Sequence, residues 1–335
     1  MTEVYIEDTN QGIKLAIDRI FKQIEKAGGT ILKKSKEVYI KVNGVNFKKH
    51  TYTSPEVLDA LIDSLQKRGA NVYVMENSTQ ANITRVVFTV TGYKKICEKY
   101  GAKIIYLDED NTDTYEFKYK SSVKDVPEGY NLKTYRLPKT VTKIIENRDS
   151  ITYINLPKLK THSMAGVTLG IKNQWGFPQH ADRGKDHNYN LHLKLVEVYD
   201  VIKPDVTIID GIEGTIHGHY PPTAWEDQHI IPFNILIGGQ DTLAVDVVGA
   251  RIFGLEIDEI PHLKLAYERG LGEGDLNKIK VIGKDLETYK EKYDWDLFQK
   301  FPENVKIIKG KKLLCREGCQ NNPLSLLQWL AFDFP

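Results

Sequence analysis

Residues Leu156 to Pro178, LPKLKTHSMAGVTLGIKNQWGFP, carry Lys158, Lys160, Thr161 and His162 within five positions, and Lys172 ten residues after the histidine. Ammonium groups at such spacing clamp carboxylates or phosphates as point charges. An imidazole nearby supplies a general acid or base, because it titrates near neutrality. Lysine-rich loops are ordinarily solvated, but Lys172 is set among Leu169, Ile171 and Trp175. It is therefore expected to be the more enclosed lysine, its amine lowered by desolvation and basic neighbours. That makes Lys172 the nucleophile or attachment point, His162 its acid–base partner, and Lys158 and Lys160 the clamps. Thr161 and Asn173 are expected to line the same pocket, with Lys41 and Asn43 approaching from the end of an earlier strand. So much positive charge calls for a bound anion or a neighbouring carboxylate.

Other candidates are weaker in pattern. Seven of the nine histidines fall between His162 and His229. His217 and His219, with Asp210 and Glu213 close in sequence, could ligate a divalent metal. Their spacing matches no metal motif, and exposed loop histidines are an equal reading. Cys315 and Cys319 form a C-x3-C pair, with Cys97 far away in a predicted helix. Three thiols fall short of the four that most iron–sulfur clusters use, so a complete cluster within one chain is not expected. No dinucleotide fingerprint, phosphate-binding P-loop or nucleophile elbow occurs. Gly238-Gly-Gln-Asp241 could present backbone N–H groups to an anion or simply make a turn. Asp246 is a further candidate for orienting or ligating.

The elements that must hold these residues follow an α/β rhythm. Strands are predicted at 37–42, 71–75, 103–107, 151–156 and 206–210, with 231–237 and 278–282 after them. Between them run helices over 9–27, from Pro55 to Gly69, and over 86–100, 140–147, 191–202, 241–253 and 262–269. Strand, helix, glycine, strand in series predicts a mainly parallel sheet with helices on both faces. Residues 108–139 break the rhythm as a small antiparallel excursion. Residues 167–173 read as a short helix or a tight buried segment, and 211–222 as an irregular loop. The division expected is one α/β domain over 1–310, with two interleaved lobes as the alternative, and a C-terminal CREGC segment with an apolar tail over 311–335. In parallel sheets ligands bind at the carboxyl ends of strands, where Lys41 and Lys158 both fall.

Composition narrows the class. The chain has 335 residues, with 46 basic against 45 acidic side chains and a net charge of +1. That balance excludes the electrostatic footprint of a nucleic-acid binder and a polybasic membrane tail. No run reaches the roughly 18 apolar residues of a membrane span. The N-terminus, MTEVYIEDTNQG, lacks the basic and apolar regions of a signal peptide, and three cysteines make no disulfide framework. A cytoplasmic protein is expected, with a homodimer left open.

Several separated motifs carry a family resemblance. Pro157-Lys-Leu-Lys-Thr-His162 with Lys172-Asn173, Ile40-Lys-Val-Asn43, Thr53-Ser-Pro55, Asp210-Gly211 and Ala244-Val-Asp246 with Gly254 resemble the hallmarks of domain-of-unknown-function family 362. The likeness spans roughly residues 35 to 285 and implies an α/β fold. Many members carry a ferredoxin-like iron–sulfur segment, whereas this chain has only CREGC. His162-x-x-Ala-Gly followed by Lys172 also looks like a segment of the nickel-pincer lactate racemases. That likeness would imply a lysine carrying a nickel-pincer nucleotide, with histidines ligating nickel and moving protons.

Three readings of function follow. The first is an enzyme acting on a small anionic metabolite through its lysines and His162. The second is a non-catalytic metal- or cluster-handling protein, and the third a ligand-binding module.

Overall fold

The computed structural model describes residues 1–79, 82–119, 133–184, 190–219, 221, 226–289, 291–296, 306–308, 310 and 321–333. Its strands are β1 (Thr2–Asp8), β2 (Glu37–Val42), β3 (Asn71–Glu76), β4 (Lys103–Tyr106), β5 (Thr112–Glu116), β6 (Thr134–Pro138), β7 (Thr152–Leu156), β8 (Lys158–His162), β9 (Gly166–Thr168), β10 (Val206–Thr215), β11 (Ile230–Gly239) and β12 (Ile279–Gly283). Eight follow one another across a sheet in the order β12-β1-β11-β10-β7-β2-β3-β4. Every neighbouring pair on that path is parallel except the two that β11 makes, with β1 and with β10. β8 joins the sheet alongside β10, and β9 folds back on β8 as a hairpin. β5 and β6 form a separate antiparallel pair, the excursion expected within 108–139.

The helices are α1 (Ile13–Lys26), α2 (Pro55–Lys67), α3 (Thr84–Val90), α4 (Tyr93–Tyr100), α5 (Lys139–Glu146), α6 (Gly170–Asn173), α7 (His180–Gly184), α8 (Leu191–Val201), α9 (Glu226–His229), α10 (Thr242–Ile252), α11 (Pro261–Glu268) and α12 (Asn321–Asp333). Helical spacing of apolar residues dictates which face of each is buried. In α1, Ile17, Ile20, Phe21 and Ile24 recur at three- and four-residue steps and are all buried. Pro55 opens α2, where its missing N–H and fixed φ cost nothing.

Helices cover both faces, and strand alternation sorts the core into two clusters. Val38, Ile40 and Val42 of β2 pack with α1 and α2, whereas Tyr39 packs with Tyr153, Ile171, Trp175 and Phe177. Lys41 has the parity of Tyr39, and Asn155 that of Tyr153. Both therefore face the chain running from 170 to 177.

The structure departs from the sequence reading in four places. β1 was not expected, because its Thr-Glu-Val-Tyr-Ile-Glu-Asp run is short and ends in charges. The helix predicted over 86–100 is two, parted at Thr91-Gly92, where Gly92 takes a φ of 86° that ends one helix and redirects the next. The loop predicted from 211 starts as strand, because β10 continues to Thr215 in register with β11. The strand predicted over 151–156 is followed at once by another, because the stretch after Pro157 forms the β8–β9 hairpin.

Candidate functional site

The hairpin arranges the basic residues. In a strand, side chains alternate between faces. Lys158, Lys160 and His162 therefore share one face of β8, with steps of about 6.6 Å, while Leu159 and Thr161 take the other. β8 is pinned to β10 at Asp210↔Lys158 and Thr215↔Lys160, with a register shift between the two pairings. The turn closes at Gly166, whose φ is 80° and where a Cβ would lie 2.4 Å from Ile260.

Each lysine meets a different environment. Lys158 Nζ lies 3.1 Å from the Asp210 carboxylate and donates to Ser54 Oγ. Asp210 also accepts the N–H of Ser54 at 2.6 Å and of Ile212 at 3.1 Å, so this pair is fully supported. Lys41 Nζ pairs with Glu76 at 2.5 Å, and Glu76 accepts the N–H groups of Gly44 and Asn77 as well. Burial draws the Lys41 amine down while Glu76 pulls it back up. Gly176 runs against this pair, where a Cβ would stand 2.8 Å from Lys41 Nζ.

Lys160 and Lys172 have no carboxylate partner among the described residues. Lys160 donates to the carbonyl of Thr51. Burial holds its amine far below the ordinary lysine range, and the Lys172 and Lys158 charges push the same way. The Lys172 amine is lowered to about 7, first by burial and then by Arg183 and Lys41. Lys172 keeps 8% of its surface exposed against 1% for Lys41, Lys158 and Lys160, so the expectation that it is the most enclosed is corrected. It is the least buried of the four.

Lys172 sits on the single turn of α6, and that turn is held from both sides. Asp246, on α10, accepts the N–H of Gly170 at 2.6 Å and of Ile171 at 2.8 Å. Burial lifts its carboxyl to about 7 despite those two donors. From the sheet side, Asn43 donates to Asn173, Asn173 to Asn155, and Asn155 to the carbonyl of Gly170. The second amide atom of Asn43, Oδ1, is buried without a partner among the described residues. Lys41, Asn43, Glu76, Asn155 and Asn173 thus meet at the carboxyl ends of β2, β3 and β7, while Lys158, Lys160 and His162 stand on the hairpin that follows β7. Thr161, on the other face of β8, ties that strand through its hydroxyl to the backbone of Gly218 at 3.0 Å.

His162 has a defined proton. Its Nδ1 accepts the N–H groups of Met164 at 3.1 Å and Ala165 at 3.3 Å, so the proton of the neutral ring is on Nε2. Its ring stacks on that of His219, with centroids 3.9 Å apart and planes within 3°. A nickel-pincer site needs imidazole nitrogens with a free lone pair, usually with the other nitrogen donating. His162 has the reverse arrangement and does not fit that role.

Among the described residues, the metal candidates are drawn to separate partners. Asp210 is committed to Lys158, and Glu213 to His50 at 2.6 Å. His217 lies against the carbonyl of Asp296 and the ring of His229, while His219 stacks on His162. Among the described residues, no three His, Cys, Asp or Glu side chains are grouped to hold a metal ion. Cys97 is buried in α4, its thiol pushed up to about 12, chiefly by burial. Cys315 and Cys319 lie outside the described residues.

Sequence reasoning missed Glu76, Asn155, Arg183, Thr51 and Ser54. Glu76 and Asn155 stand at strand ends parallel to Lys41, so the rule that singled out Lys41 applied to them too. Arg183, whose guanidinium bonds Asn77 and Ser78, left no such signal. Among the described residues, no helix is long and apolar enough to cross a membrane.

Comparison with known proteins matches residues 38–251 to the family described as domain of unknown function (DUF362). The chain is also 28% identical, over 253 residues, to a thylakoid-associated protein of Synechocystis sp.. That alignment covers 72% of this chain and 71% of the relative. The family match takes in every lysine and asparagine of the site, together with Glu76, His162 and Asp246. The chain belongs to the DUF362 family.

Proposed function

We propose that the chain is an enzyme for a small anionic metabolite, held at Lys160 and Lys172, with Lys172 as the reactive amine. One observation carries this reading: of four buried lysines near these strand ends, two have carboxylates and two have none among the described residues. Burying an unpaired ammonium is costly, and an anionic ligand would supply the missing countercharge. Lys41 and Lys158, already neutralised, act as scaffold, a change from the clamp role expected of Lys158. His162 acts through its Nε2–H as a neutral hydrogen-bond donor, an electrophile toward a substrate oxygen, and not as a base at that nitrogen. A cytoplasmic location goes with this reading, supported by balanced charge and few cysteines.

The test is thermal unfolding in sulfate or phosphate against chloride at matched ionic strength. Wild-type protein should be stabilised, by about 2.7 kcal/mol when the anion stands at a hundred times its dissociation constant. Lys160→Met and Lys172→Met should lose most of that gain. An equal gain in all three proteins would point to a non-specific salt effect and end the proposal.

A further inference from the structure

We propose that the substrate of this site is a small carbonyl compound bearing a carboxylate or phosphate, which condenses with Lys172 to form an imine. The inference rests on the anion-site reading above and names its substrate class. Three observations converge on it. Lys172 has no hydrogen bond or ion pair among the described residues, and it is the least buried of the four lysines. The Arg183 and Lys41 charges disfavour its protonation, and the Arg183 guanidinium, which stays charged, attracts an anion. Its position is fixed by α6, which Asp246 and the asparagine chain hold on opposite sides.

An ordinary lysine is a poor nucleophile at neutral pH because its amine is almost wholly protonated. With its amine lowered to about 7, Lys172 is half neutral at that pH. The neutral nitrogen adds to the carbonyl carbon, and the carbonyl oxygen takes a proton from the nitrogen. The resulting hydroxyl leaves as water with the second amine proton, so a C=O bond is exchanged for C=N with no change in electron count. A ligand that were only an anion would need charge at Lys172. A carbonyl compound with an anionic group uses both kinds of group here: neutral Lys172 for the bond and charged Arg183 for the anion.

The experiment treats the full chain at pH 7 with glyoxylate and cyanoborohydride, and maps carboxymethyl-lysine by peptide mass. Acetaldehyde, which has no anionic group, serves as control. Lys172 should be modified at least about tenfold faster by glyoxylate than any exposed lysine, given its larger neutral fraction. Sulfate should protect it, and Lys160→Met should slow glyoxylate more than acetaldehyde. Protection of wild-type protein by sulfate gives the same answer should that variant fail to fold. Labelling spread evenly over exposed lysines, or Lys172 labelling indifferent to sulfate, overturns the imine proposal. If sulfate still stabilises the protein in that case, the anion site stands and the carbonyl chemistry alone is wrong.

Discussion

Lys41 and Lys172 are both buried lysines, yet their replacement should act in opposite directions. Lys41→Met strands Glu76 in the interior with only backbone donors, a loss of about 3–5 kcal/mol. Lys172→Met removes a charge that nothing among the described residues compensates, and should raise stability while abolishing anion binding. The pH dependence has a definite sign. In the unfolded chain Lys172 titrates near 10.4, and in the fold at about 7, so between those values the unfolded state binds more protons. The cost of burying its charge is whole below pH 7 and fades as pH rises. Urea unfolding should therefore show the Lys172→Met gain at pH 6 and its disappearance near pH 10. A loss at pH 6 comparable to that of Lys41→Met would mean that Lys172 has a partner. The residue types of this cluster were legible in the sequence, but their pairing was not. Glu76 stands 35 residues from Lys41, and Asp210 52 from Lys158, distances that only the sheet closes.

The site depends on two small elements, the β8–β9 hairpin and the single turn α6. Alternation in Lys-Leu-Lys-Thr-His was present in the sequence and would have put both lysines and His162 on one face. Pro157 interrupts the strand that precedes them, and only the pairing of β8 with β10, some 50 residues on, makes them a strand again. The α6 turn was legible only as a tight buried segment, because its support comes from Asp246 on another helix. Asp246→Asn should expose that dependence. An amide offers one acceptor where the carboxylate offers two, leaving Gly170 or Ile171 with an unmet N–H at a cost of about 1–3 kcal/mol. Thermal unfolding should register the loss, and stabilisation by sulfate should shrink with it. Full retention of both would mean that α6 holds its shape without this carboxylate.

Across the whole molecule, the parallel sheet was the most legible feature, since strand–helix–glycine units repeat through the first 107 residues. The antiparallel direction of β11 was not, because an apolar run reads the same whichever way it lies in a sheet. Parallel packing brings the ends of β2, β3 and β7 to one edge, and with them Lys41, Glu76 and Asn155. The relative from Synechocystis is described as thylakoid-associated, a statement about that protein's location and not about the chemistry at this edge. The most direct test is to follow the Lys172 amine itself, by NMR of protein whose lysines carry 13C-methyl groups, with the Lys172→Met variant assigning the signal. In the free protein it should titrate at about 7, and move upward when sulfate or phosphate is added, as a bound anion favours the charged form. A signal that titrates near the ordinary lysine value and ignores both anions would contradict the account.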